Sequence, residues 1–304
     1  MANVLIGGGT GLVGTHLSRL LKAKNYTVTH LSRTRNLEAE FPAYRWDIEK
    51  GEIDKEAVQN ADYIINLAGA GIADKLWTES RKQLIISSRV NSTLLLRDAI
   101  QQHRPDLSAF LSASAMGYYG NRGEEKLTED SGAGGDQFLV TSVQAWENAI
   151  EQVAKTDVRT AWLRIGLVLS TQGGALPKMT MSTKVSVGGY FGDGQQWYAW
   201  IHIEDLCRAF IYLIQNEQLE GAFNAVAPYA ERNKAFTEKI GTAMDKNLAL
   251  IPAPAFALKL GMGEMSTTVL NSAHVVPERL LENGFDFQFE RLVPALRNLF
   301  NRDI

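Results

Sequence analysis

The sequence predicts an α/β protein built on a doubly wound parallel sheet with a smaller C-terminal lobe, and three observations carry that prediction. Short apolar runs alternate with helical periodicity through the first half of the chain. The first run empties into a glycine-rich turn, GGGTGLVG. The segments just past the later runs, LSRTR, WDIE, NLAGAG, SASAMGYYG and RIGLVLS, gather small and polar residues where the carboxyl ends of strands would lie. Alternation of this kind places helices on both faces of a parallel sheet, whose ligand sits at the carboxyl ends of its strands.

Each element has its own warrant. Val4–Ile6 is an apolar run with two β-branched members, as a buried parallel strand requires. Leu12, Val13, His16, Leu17, Leu20 and Leu21 then recur at three- and four-residue intervals, predicting a helix over 11–24. Further strands are expected at Tyr26–Leu31, Tyr44–Trp46, Tyr63–Leu67, Phe110–Ala113 and Thr160–Ile165, with helices near 54–59, 78–102 and 140–155. After residue 170 the pattern loosens into KVSVGGYFGDGQQWYAW. WIHIEDL then opens a helix, a strand follows at Phe223–Val226, and from about 232 the chain reads as helix interspersed with proline. This divides the chain into a cofactor domain over 1–170, to which 199–228 returns, and a smaller, mostly helical substrate lobe over 171–304.

Within the first turn Gly8, Gly11 and Gly14 are spaced G-x-x-G-x-x-G. The first allows a tight turn, the second lets backbone N–H groups approach a pyrophosphate, and the third lets helix pack on strand. The helix N-terminus would then face the phosphates with its positive end. A strand, this turn and a helix together are the start of a Rossmann dinucleotide site.

Composition narrows the function classes. The chain has 304 residues with 31 basic against 34 acidic side chains, so no polyanion-binding surface is implied. One cysteine, Cys207, excludes an internal disulfide and a thiolate metal cluster and fits a reducing compartment. No metal-ligand spacing stands out. The start lacks the pattern of a signal peptide, and no apolar stretch approaches the ~20 residues of a membrane span. A soluble cytoplasmic protein that binds neither nucleic acid nor membrane is expected.

The end of the second strand decides the cofactor. An NAD site places a carboxylate about 20 residues past the glycines, whereas an arginine there accommodates a 2′-phosphate. Here Ser32, Arg33 and Arg35 occupy that position, with no carboxylate before Glu38, which favours NADP(H). Asp47 in WDI could accept from the adenine amino group, and the small residues of NLAGAG leave room for a ribose or nicotinamide. Thr10, Leu12, Val13, Ile48, Leu67, Ala68, Gly69, Arg89, Arg164, Leu167 and Val168 complete the expected cofactor set. Lys75, Trp77, Met116, Trp197, Trp200 and His202 are the expected substrate-pocket residues, although Trp200 and His202 suit a packed core equally well.

GGTGLVG, NLAG and SASA-x-GYYG resemble the extended short-chain dehydrogenase/reductases. NLAGAGIADKLWTESRKQ, SRVNST, GDGQQWYAWIHIEDL, PAFALKLGMGEM and GFDFQF resemble one atypical branch, the NAD-dependent epimerase/dehydratase-like proteins with a dedicated C-terminal domain. The resemblance implies NADP(H) and a Ser or Thr, Tyr and Lys that polarise a carbonyl or alcohol as hydride arrives. Ser114 stands at the hydroxyl position. Aligning Glu147 with the carboxylate that follows the usual Tyr-x-x-x-Lys, however, puts Leu139 at the Tyr and Val143 at the Lys, and neither transfers a proton. Tyr118 and Tyr119 are the alternative acids. The expected activity is that of an NADP(H)-dependent oxidoreductase or epimerase on a small substrate. The alternative is a non-catalytic NADP(H) sensor. Pairing of the helix at 78–102 with a second copy would give a homodimer.

Overall fold

A computed structural model describes residues 1–301. Its sheet strands and their covering helices, in chain order, are β1 (Asn3–Gly7), α1 (Leu12–Ala23), β2 (Thr27–Ser32), β3 (Ala43–Asp47), β4 (Glu52–Ile53), α2 (Lys55–Gln59), β5 (Tyr63–Asn66), α3 (Glu79–His103), β6 (Ala109–Ala115), α4 (Phe138–Ala154), β7 (Thr160–Ile165), α5 (Ile203–Gln215) and β8 (Gly221–Ala225). The strands form one eight-stranded sheet in the order β8-β7-β6-β5-β1-β2-β3-β4. All neighbours are parallel except β3 and β4, an antiparallel edge pair that the apolar pattern did not announce. The fold is therefore the predicted α/β class, a Rossmann-like doubly wound sheet.

The order of strands reverses between β1 and β5, so the crevice above those two strands is where a ligand is expected. Parallel strands covered on both faces must be apolar throughout, and Val4, Leu5, Ile6, Ile64, Ile65, Phe110 and Leu111 are fully buried. Asp54 and Thr78 cap α2 and α3 by accepting from the Glu56 and Arg81 amides. Asn66, at the end of β5, donates through Nδ2 to Ser92 and Thr93 of α3, both at 3.2 Å. Its Oδ1 accepts from the Ala68 amide at 3.1 Å. One buried side chain thus fixes the turn that leaves β5.

Residues 199–228 supply α5, which packs on α1, and β8, which pairs with β7. A second return was not foreseen: Leu280, Phe285 and Phe287 are buried in the same core as the sheet. The rest of the C-terminal region has its own core around Tyr198, Trp200, Phe236, Ile240, Leu292 and Leu296. It also contains paired short strands, Val187–Phe191 with Ala249–Ala253, as well as helices. Among the described residues no helix is long and apolar enough to cross a membrane.

Candidate active site at the carboxyl edge of the sheet

The glycine turn is built for close approach. Gly8 has φ +80°, and a β-carbon there would lie 2.9 Å from the Leu67 carbonyl carbon and oxygen. A β-carbon on Gly14 would run into the backbone of Gly8 and Gly9, which is the helix-on-strand contact expected of the third glycine. Gly11 differs. It is exposed and stands at the N-cap of α1, where no side chain caps the helix and no acidic residue enters the first turn. Nothing inside the chain demands the absence of a side chain at Gly11 as strongly, so its bareness serves the space above α1. The first-turn N–H groups of α1 border that space.

Further along the same sheet edge lies a cavity of about 380 Å³ lined by Arg33, Trp46, Asp47, Ile48, Glu49, Leu84, Ser87, Ser88 and Asn91, where a β-carbon on Gly7, at the end of β1, would lie 3.0 Å from the Trp46 ring. Arg33 is exposed and has no ion pair or hydrogen bond among the described residues. Arg35 points elsewhere, its guanidinium engaged by Asp54 and Glu56, each at 3.0 Å, and lying over Tyr44. Asp47 lines the cavity while its Oδ1 accepts from the Lys50 amide at 3.2 Å. Leu84, Ser87, Ser88 and Asn91 were not read from the sequence. The signal was a short polar stretch on one face of α3, legible only once the packing of α3 against the crevice is known.

Arg89 stands at the other side of the crevice. A β-carbon on Gly69 would lie 3.0 Å from its Cζ, its NH1 donates to the Ile85 carbonyl at 2.8 Å, and it lies over the Trp146 ring. Burial, reinforced by the charge of Arg81, lowers its pKa to about 10. Among the described residues no carboxylate forms an ion pair with it. Leu67 and Ala68 flank this position, and Leu167 and Val168 are held by pairing with Trp200 and Ile201.

The expected catalytic residues meet in a buried network. Ser114 and Arg164 are register partners on β6 and β7, and α4 lays Glu147 across both. The Ser114 hydroxyl donates to Glu147 Oε1 at 2.5 Å, and Arg164 grips the same carboxylate through Nε at 2.9 Å and NH2 at 2.8 Å. Arg164 was expected to meet the cofactor. It is instead enclosed, with 6% of its side chain exposed. Burial works against its charge, but the hydrogen bonds and charge of Glu147 raise its pKa.

The two tyrosines separate. Tyr119 is fully buried, donating to Asn224 at 2.7 Å and accepting from Arg164 at 2.9 Å, and burial pushes its hydroxyl up to about 12. Tyr118 is half-buried, and its ring is packed on Arg164, whose Cζ lies 3.7 Å from the centroid. Its hydroxyl has no partner among the described residues. Leu139 and Val143 are 9% and 5% exposed and apolar.

The expected pocket residues scatter. Met116 follows Ser114 on a short 3-10 turn, and Trp77 packs its edge against Phe138 at 4.8 Å, both near the carboxyl edge. Lys75 is exposed on the same loop. Trp197 stacks on His274 at 4.2 Å and donates to Glu124. Trp200 is fully buried and donates to the Tyr229 carbonyl. His202 is the N-cap of α5, its Nδ1 accepting from the Glu204 amide at 3.1 Å, and burial lowers its pKa to about 4. Trp200 and His202 are thus core and cap residues. Among the described residues no group of three or more His, Cys, Asp or Glu side chains is placed to hold a metal ion.

Comparison with known proteins places this arrangement. Residues 253–299 match a domain of unknown function, DUF1731. An epimerase family protein of Staphylococcus aureus is 36% identical over 299 residues, covering 98% of this chain and 99% of its own. The human epimerase family protein SDR39U1, solved with NADPH, is 30% identical with a TM-score of 0.88, covering 98% of this chain and 99% of its own. A nucleoside-diphosphate sugar epimerase of Corynebacterium glutamicum is also 30% identical, with a TM-score of 0.80 over 99% of this chain but 59% of that one. Residues 4–226 match the model of the NAD dependent epimerase/dehydratase family, and with relatives aligned along nearly the whole chain, this protein belongs to that family.

Proposed function

We propose that the protein is an NADP(H)-dependent oxidoreductase or epimerase acting on a small substrate. The observation that carries this reading is the unpaired Arg33 in the cavity whose Trp46 ring lies against Gly7, the residue that leads into the bare glycine turn. An uncommitted guanidinium suits a phosphate monoester, and a carboxylate at that position would repel one. The residues fit the cofactor along its length. The start of α1 would take the pyrophosphate, Trp46, Asp47 and Ile48 the adenine, Arg33 the 2′-phosphate, and Gly69, Arg89, Leu167 and Val168 the nicotinamide half. The NADPH in the human relative's structure supports the same choice.

Bound there, the nicotinamide would donate or accept a hydride. The chain's own residues would then manage the proton at the substrate oxygen. The Ser114 hydrogen is directed inward to Glu147, so Ser114 offers lone pairs to the cleft. Tyr118 keeps its hydroxyl free and is the better proton donor. A specific observation favours the second reading, a cofactor-binding sensor: Leu139 and Val143 are buried and apolar where the usual Tyr and Lys would stand.

Fluorescence titration with NADPH and NADH, followed by a scan of carbonyl compounds for NADPH oxidation, tests both. Arg33→Glu is expected to weaken NADPH about 10- to 100-fold, the worth of one or two charged hydrogen bonds, and NADH far less. Equal losses would refute the 2′-phosphate assignment. Selective binding without oxidation across the panel would favour the sensor.

A further inference from the structure

Arg89 carries a charge that the rest of the chain leaves unanswered. It stands on α3 one turn nearer the carboxyl edge than Ser92 and Thr93, the two residues that hold Asn66 at the end of β5. Gly69 lies against it: a β-carbon there would stand 3.0 Å from its Cζ, 3.1 Å from its Cγ and 3.2 Å from its Nε. Gly69 has no positive φ, so its missing side chain serves Arg89 rather than the turn. The guanidinium also lies over Trp146 of α4, a helix without a single Lys or Arg. NH1 donates to the Ile85 carbonyl, whereas Nε and NH2 make no hydrogen bond among the described residues. Those two atoms are not sealed from solvent, unlike the partnerless Nε of Arg81 or Nε and NH2 of Arg159. One edge of the fork is therefore open.

A largely buried cation without a counter-ion is costly, and here the neighbouring charge is Arg81, of like sign, whose own carboxylate, Asp74, is exposed. The open Nε–NH2 edge presents two parallel N–H groups, the geometry that takes two oxygens of one phosphate. Its place says which phosphate. The turns that carry Gly8 and Gly69 leave β1 and β5, the strands between which the sheet order reverses. They touch: a β-carbon on Gly8 would meet the Leu67 carbonyl at 2.9 Å and the Ala68 amide at 3.0 Å. A diphosphate lying over Gly8 would thus have the first-turn N–H groups of α1 on the β1 side and Arg89 on the β5 side.

We propose that Arg89 binds the phosphate on the nicotinamide side of the cofactor's diphosphate, bringing from α3 the charge that α4 lacks at Val143. The proposal rests on the NADP(H) reading above and divides the recognition of that cofactor between two arginines: Arg33 holds the 2′-phosphate and Arg89 the far end of the diphosphate.

The test uses the full chain and three probes, titrated by calorimetry. NADPH has the whole nicotinamide half, 2′-phospho-ADP-ribose keeps both phosphates of the diphosphate without the nicotinamide, and adenosine 2′,5′-bisphosphate keeps only the adenosine-side phosphate. Arg89→Met is expected to weaken the first two about 10- to 100-fold, and the bisphosphate less than about twofold. Arg89→Lys, which keeps a charge but not the fork, should recover part of the loss. Without ligand, Arg89→Met should unfold at a temperature no lower than the parent, because it removes a charge that had no counter-ion, whereas a merely structural arginine would lower the midpoint. Unchanged NADPH affinity, equal losses for all three probes, no recovery by Arg89→Lys or a lowered midpoint would each overturn the assignment. Arg33→Glu separates it from the reading beneath. A parent that binds none of the probes, or an Arg33→Glu that weakens none, would refute the NADP(H) reading. Bisphosphate binding that Arg33→Glu weakens, beside NADPH binding that Arg89→Met leaves alone, would overturn the Arg89 assignment only.

Discussion

Tyr118 and Tyr119 are neighbours in the chain but have different work to do, and the difference is one of burial. Tyr119 holds Asn224 and Arg164 together, and Asn224 in turn donates to the Val276 carbonyl and binds Glu129 through its amide. Removing its hydroxyl leaves a buried amide oxygen without its donor, which costs about 1–3 kcal/mol. Tyr119→Phe is accordingly expected to lower stability by that amount in urea unfolding. Tyr118→Phe should stay within about 0.5 kcal/mol of the parent and abolish any turnover. The reverse order of stabilities would show that the roles are exchanged. The sequence GYYG could not separate the two, because nothing local marks which ring meets Arg164 face-on and which meets it through oxygen. Glu147 shows the same limit. Its spacing pointed to a motif carboxylate, whereas its partnership with Ser114 exists only because β6 and β7 are adjacent in register.

At the scale of elements, the sheet was legible because its strands are apolar runs bounded by glycine and polar turns. Their observed ends lie within two residues of the predicted ones, and Thr160–Ile165 coincides at both ends. The paired strands of two residues, such as Lys126–Leu127 with His274–Val275, were not, since two residues carry no period and their pairing is decided by distant parts of the chain. The start of α5 shows how an apparent site residue can be structural. Burial holds His202 neutral in the fold at a pKa of about 4, against 6.5 ordinarily. The unfolded chain therefore takes up this proton first as pH falls. The contribution is complete above about pH 6.5 and is lost as pH falls toward 4, by at most about 3 kcal/mol. His202→Asn keeps a good N-cap and removes the titration. Its urea stability should fall less steeply between pH 6.5 and 4.5 than the parent's, and identical slopes would remove His202 as the cause.

For the whole molecule, the C-terminal region is tied to the sheet domain by a few named side chains. Arg279 donates to the Ala222 and Glu220 carbonyls and lies over Phe223, binding the C-terminal region to β8. Asp205 of α5 accepts from the Gln288 and Phe289 amides at 3.0 and 2.8 Å. Leu280, Phe285 and Phe287 then seal the core beside α5. Each such side chain is worth roughly 2–5 kcal/mol when lost from a core. Together they rival the 5–15 kcal/mol that typically separates folded from unfolded. A chain ending at residue 230 would retain every strand of the main sheet and yet lack this seal. It is expected to be insoluble, or to keep far-UV circular dichroism while losing near-UV signal and binding a hydrophobic dye. The full chain should lose both signals in one coincident transition. A truncated chain that unfolds cooperatively, or a full chain whose two signals separate, would show that the sheet domain stands alone and that the C-terminal region is an addition to it.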